Sequence, residues 1–124
     1  MNTRRIIASW IFQVAVAFLL IYAGIPKLVG EADSVALFSN VPGSDALRYL
    51  TGVLELTAAL LILLPRTIPY GAILASLVMA GALGAHVLFI GFGGEMATMA
   101  FMAGVIFIAA LVVAILRRNE ILRI

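Results

Sequence analysis

The chain has no cysteine, a single histidine and very little charge, with Asp, Glu, Lys and Arg making up only 11% of its 124 residues. Without thiols there is no disulfide, thiol relay, thiolate zinc site or cysteine-ligated iron–sulfur cluster. One histidine cannot by itself supply two axial haem ligands or a multi-histidine metal site. Soluble domains carry about 25% charged residues, so the shortage argues against a soluble enzyme with its own nucleotide-binding domain. The net charge is only +2, and no basic stripe with interleaved aromatics points to nucleic acid. No covalent or metal cofactor is expected. A redox cofactor would have to be diffusible and lipid-soluble, or belong to a partner protein.

What the chain has instead is hydrophobic residues, 65% of the total. Crossing a hydrocarbon core of about 30 Å takes roughly 20 apolar residues per helix. Four runs satisfy this, at about 6–25, 47–64, 70–90 and 97–116. The first is too long for the apolar core of a secretory signal and stops at Pro26-Lys27; the second ends at Pro65-Arg66-Thr67. The third closes on Gly91-Phe92-Gly93-Gly94, and the fourth on Arg117-Arg118-Asn119-Glu120. In lipid these runs are helices, because strands would leave backbone groups unpaired. The expected fold is therefore all-α: one domain, 1–124, forming an integral membrane antiparallel four-helix bundle.

The arginines set the expected orientation. With the N-terminus inside, Arg4, Arg5, Arg66, Arg117, Arg118 and Arg123 are all cytoplasmic. Only Lys27 and Arg48 lie outside, with Glu31, Asp33, Asp45 and Glu95. This positive-inside bias over short loops predicts both termini in the cytoplasm and the cytoplasmic membrane as location. The outer loop 26–46 is far longer than the other two connections, and structureless loops of that length are often functional. Within it, Ser34–Phe38 is expected to form a short interfacial helix with Val35, Leu37 and Phe38 on the bilayer surface. Ser44 or Asp45 is expected to cap the second span. Ala72, Ser76, Ala80 and Gly84 form a small-residue stripe that permits close helix approach, within the bundle or between copies of the chain.

Ionisable groups deep in a membrane are costly and mark functional candidates. Glu55 is the clearest, about 12 Å along the second span from its expected outer end. Arg48, Thr51, Gly52 and Ala59 share its face, which is therefore expected to look inward. A carboxyl group there is expected to be neutral unless a cation compensates. His86 lies four positions from the outer end of the third span, Lys27 just past the first, and Arg48 near the outer interface where it could snorkel. All four fall in the outer half, at depths that allow one shared cavity. Each also has a plainer reading: Lys27 and Arg48 as interfacial anchors, His86 as a hydrogen-bonded core residue, and Glu55 as half of a structural ion pair. Gln13, in the inner half of the first span, is expected to make an interhelical hydrogen bond.

The string Tyr22-Ala23-Gly24-Ile25-Pro26-Lys27-Leu28 resembles the Gly-x-x-Lys-Leu ending of the first helix in the DoxX and DoxX-like membrane proteins. Gly52-Val53-Leu54-Glu55-Leu56 followed by Pro65-Arg66-Thr67 is similar to that family's second-helix signature, and Met79-Ala80-Gly81-Ala82 with His86 to its third. The motifs are loose singly; their order and spacing over the whole chain carry the resemblance. It implies a four-span bundle and a link to membrane redox complexes, one relative being a subunit of a thiosulfate:quinone oxidoreductase. Carried over by position, it marks Lys27, Glu55 and His86 as site candidates. The lack of cysteine excludes a thiol mechanism of the vitamin-K-reductase kind.

The function expected is a quinone-interacting accessory subunit of a membrane oxidoreductase. Glu55 and His86 are its candidate proton donors, and Lys27 and Arg48 its ligand-binding residues. Val53, Leu56, Met79 and Leu83 are expected to wall the isoprenoid tail. Its expected partners are the bilayer and a redox protein or a second copy of the chain. The alternative is a non-enzymatic scaffold or a small proton-coupled transporter. Small multidrug transporters place an essential carboxylate in helix one, where this chain has only Gln13.

Overall fold

A computed structural model describes residues 2–121; Arg123 and the side chain of Glu95 lie outside what is described. Helix α1 (Thr3–Val29) opens with the Asn2 side chain accepting the Arg5 N–H at 2.9 Å. Its buried positions, Ser9, Gln13, Val16, Ala17, Leu20 and Gly24, recur at the helical period and mark a single inward stripe. Pro26 does not end this helix, contrary to expectation. It removes one N–H from the ladder, yet the helix runs on to Val29, where Gly30 adopts the left-handed conformation (φ 72°) and donates to the Pro26 carbonyl.

The long outer segment is also more ordered than expected. Helix α2 (Ala32–Phe38) occupies its middle, and Leu37, Phe38 and Val41 pack inward against Ile90, Met96 and Met99. Of the three residues expected on the bilayer surface, only Val35 is exposed. Packing on the bundle buries more of Leu37 and Phe38 than an interfacial pose allows. Helix α3 (Ser44–Leu63) starts at Ser44 with Gly43 as N-cap, so neither Ser44 nor Asp45 caps it. Helix α4 (Ile68–Ala85) passes into a π-helical turn, His86–Ile90. Helix α5 (Glu95–Leu116) is followed by a 3-10 turn, Arg118–Glu120.

Four of these segments, Thr3–Val29, Ser44–Leu63, Ile68–Ile90 and Met96–Leu116, are long and apolar enough to cross a membrane. They form a ring in which α1 packs on α3 and α5, and α4 packs on α3 and α5. Each neighbour in the ring is antiparallel, as connections of four residues between α3 and α4 and between Ile90 and Glu95 require. Val16, Leu20, Ala58, Ile62, Ala72, Ala75, Ile106 and Ala110 form the shared core. The outward faces are apolar as well, with Phe18, Leu60, Leu77, Phe101 and Ile108 all exposed, as lipid contact demands.

Glycines set the closest helix contacts. A Cβ on Gly71 would lie 2.4 Å from the Ile62 backbone nitrogen, so α4 rests directly on the end of α3. A Cβ on Gly24 would meet the Gly52 carbonyl at 3.2 Å, and one on Gly52 the Gly24 carbonyl at 3.1 Å. The expected four-residue stripe on α4 is only half realised: Ala72 and Ser76 are buried, Ala80 is exposed and Gly84 half-buried. Steps of four advance about 40° beyond a full turn, so the row winds off the buried face.

Candidate functional site

The Gly24–Gly52 crossing sets the arrangement of polar groups on the outer side. Lys27 and Glu55 each lie one turn past their glycine, in opposite directions along the antiparallel pair. Helical side chains lean back toward the N-terminus, so both reach toward the crossing, where Glu55 Cβ lies 3.3 Å from the position a Cβ on Gly24 would take. Lys27 Nζ lies 2.9 Å from Glu55 Oε1. Glu55 is 1% exposed, and its place eleven residues past Ser44 sets it about 16 Å along α3, deeper than the sequence suggested. Oε1 makes no well-directed hydrogen bond among the described residues, so the contact is ionic in character. The ammonium also donates to the Ala23 carbonyl at 3.0 Å, beside the gap that Pro26 opens in the α1 ladder.

Arg48 is buried, at 4% exposure, and does not snorkel. Its Nη1 donates to the Lys27 carbonyl, one of the C-terminal carbonyls of α1 that have no donor within the helix. Nη2 is 3.5 Å from Asp45, and the guanidinium stacks 4.3 Å over the Tyr49 ring. A cation at a helix C-terminus is favoured by the helix dipole. Arg48 thus holds the backbone of Lys27 and does not line the cavity into which Lys27 and Glu55 face.

His86 opens the π-helical turn, where the Gly91 N–H reaches back to the His86 carbonyl at 2.7 Å. Such turns are often found at functional sites. The imidazole is buried, with Nδ1 2.9 Å from the Ala82 carbonyl. A carbonyl oxygen only accepts, so Nδ1 carries the proton. Nε2 is buried with no hydrogen-bond partner among the described residues.

Lys27, Glu55 and His86 all line one cavity of about 650 Å³, within the size range of small-molecule sites. Every α-helix contributes to its walls. Tyr22 and Pro26 come from α1, Leu37 and Phe38 from α2, Thr51 and Leu54 from α3, Met79 and Ala82 from α4, and Met99 and Met102 from α5. Of the residues expected to wall a tail, only Met79 does so. Val53 points out to the lipid, half exposed, and Leu56 and Leu83 lie off the lining. The inward packing of Leu37 and Phe38 closes the outer side, a contribution hidden in sequence because α2 reads as interfacial.

A second polar cluster occupies the other end of the bundle. Gln13 donates to the Ile62 carbonyl at 2.9 Å, the interhelical bond expected of it. Ser9 Oγ donates to Gln13 Oε1 at 2.5 Å, and Arg117 reaches Ser9 Oγ at 2.9 Å and Gln13 Oε1 at 3.2 Å. Arg117 also pairs with Glu120 at 3.0 Å. Its buried role was not legible, since an arginine at the end of a span reads first as a topology signal. The spacing of Ser9 and Gln13 at i, i+4 was the available clue.

Neither a curated protein nor a solved structure matches the chain. The sequence profile of the DoxX-like family matches residues 11–115, a stretch that contains Lys27, Arg48, Glu55 and His86. The chain belongs to the DoxX-like family, as a multi-pass membrane protein built on four apolar helices.

Proposed function

We propose that the protein is a quinone-interacting accessory subunit of a membrane redox complex, with the quinone ring seated in the outer cavity and electrons supplied by a partner protein. The observation that supports this reading is the convergence of the Lys27–Glu55 pair and His86 on one cavity with largely apolar walls. A few polar groups in an apolar pocket suit a ligand that is mostly hydrocarbon with a small polar ring.

The chemistry is consistent with those groups. Reducing a quinone takes two electrons from the partner and two protons delivered to the carbonyl oxygens. Glu55 as a carboxylic acid and His86 as an imidazolium would be the proton donors at the cavity, both acting as acceptors once the proton has left. The Lys27 ammonium can donate to an oxygen as negative charge builds on it. Arg48 acts as a positioning residue, fixing the end of α1 that carries Lys27.

The test is extraction of lipid from protein purified in mild detergent. Quinone is expected at near one equivalent per chain, falling several-fold in Glu55→Gln while the protein level is maintained. If the wild-type protein carries no more quinone than an unrelated membrane protein from the same cells, the proposal fails. A loss of protein level in Glu55→Gln with no quinone in the wild type would instead favour a scaffold role.

A further inference from the structure

We infer that His86 makes this cavity selective for the reduced, hydroxyl-bearing form of its ring ligand, the hydroquinone over the quinone. The inference rests on the proposed quinone site and adds which redox form that site prefers and which atom decides it. The Nδ1 proton is committed to the Ala82 carbonyl at 2.9 Å. In the neutral ring the remaining nitrogen, Nε2, therefore presents only a lone pair. That lone pair is buried, on a residue that lines the cavity, and has no partner among the described residues.

A buried acceptor left unpaired is penalised by its lost hydration. A quinone oxygen cannot relieve the penalty, because it too is an acceptor and would face lone pair to lone pair. A hydroquinone O–H donates to Nε2 and satisfies both groups. The other polar groups on the lining do not reverse this preference: the Ser34, Thr51 and Thr98 hydroxyls both donate and accept and so serve either form, and the Glu31 and Asp33 carboxylates only accept. Lys27 is a donor and serves either form, since both carry oxygen lone pairs. Glu55 Oε1, which lacks a well-directed hydrogen bond, is another acceptor and also favours a ligand with a hydroxyl.

The experiment compares binding of a decyl-substituted benzoquinone and its hydroquinone to the purified protein in lipid nanodiscs, without oxygen. The hydroquinone is expected to bind about tenfold tighter. For a two-electron couple a tenfold preference raises the midpoint potential of the bound ligand by about 30 mV, which redox titration reads independently. His86→Phe is expected to bring the two forms to near parity by weakening the hydroquinone. His86→Gln, which keeps an acceptor oxygen, is expected to retain part of the preference. A redox-free check uses a decyl phenol and its methyl ether, of which only the phenol is expected to bind. Equal binding of the two redox forms, tighter quinone binding, or an ether that matches the phenol overturns the selectivity while leaving the quinone site standing. No binding of either redox form overturns the quinone site and the selectivity together.

Discussion

At the scale of single residues, the half-buried Lys27 and the buried Arg117 are used differently. Lys27 faces a carboxylate across a helix crossing, whereas Arg117 is shared among a hydroxyl, an amide oxygen and the carboxylate of Glu120. For the first, sequence was a good guide: a glutamate inside an apolar span needs either a partner or a proton, and Lys27 was within reach. What it could not show was that Arg48, much closer to Glu55 in sequence than Lys27 is, turns to the backbone of α1 instead. The pair's energetics can be separated by substitution. Removing one partner of a buried pair strands the other charge, at a cost of about 3–5 kcal/mol in soluble interiors, while replacing both with apolar residues is often neutral. Lys27→Met is therefore expected to lower the thermal midpoint in detergent substantially, and Lys27→Met/Glu55→Leu to recover most of that loss. A double variant as unstable as the single one would show that the pair is not the source of the cost. At the inner end, Gln13→Leu leaves the Ile62 carbonyl without its donor; a loss of about 1–3 kcal/mol is expected, read by the same melt.

At the scale of elements, the four apolar runs identified all four spans, and the errors gathered at their ends. Pro26 reads as a stop because a proline costs one backbone hydrogen bond, but Gly30 supplies a better terminus four residues later and the helix continues to reach it. The α4 stripe reads as a packing face, but its four-residue period winds around the helix while the buried line Ile68, Ala72, Ala75 and Met79 stays in register. Which glycines matter is likewise a property of the packed helices. Gly71→Ala sets a methyl against the backbone of Ile62, which cannot swing aside as a side chain can. Overpacking of this kind costs about 1–3 kcal/mol or more. Gly52→Ala meets mainly the flexible Leu28 side chain, at 2.9 Å, along with the Gly24 carbonyl, and Gly84→Ala meets nothing within 4 Å. Thermal midpoints are expected to fall most for Gly71→Ala, less for Gly52→Ala, and not at all for Gly84→Ala. Because Gly52 also sets the distance between Lys27 and Glu55, its variant is expected to lose bound quinone out of proportion to its stability, while Gly71→Ala is not.

For the whole molecule, the packing bears on which end is which. The Ser9–Arg117 and Gln13–Ile62 hydrogen bonds place the start of α1, the end of α3 and the end of α5 together. Arg4, Arg5, Arg66, Arg117 and Arg118 therefore share one end of the bundle, and the Lys27–Glu55 cavity with Glu31 and Asp33 lies toward the other. Arginine is retained on the cytoplasmic side of short loops, so the arginine end is expected inside and the cavity end outside. A water-soluble redox partner would then reach the cavity only from the outer side, which makes orientation a constraint on function. The lack of cysteine makes the measurement clean, since any introduced thiol is the only one in the chain. Asn40 and Gly93 are exposed beside the cavity end, Pro65 and Asn119 at the arginine end. In intact cells a membrane-impermeant maleimide is expected to label Asn40→Cys and Gly93→Cys, and to reach Pro65→Cys and Asn119→Cys only after the membrane is opened. The reverse pattern would place the cavity toward the cytoplasm and move the search for a partner there. Labelling of all four in intact cells would mean that the chain inserts in both orientations, and the arginine count would then be too weak a bias to set topology.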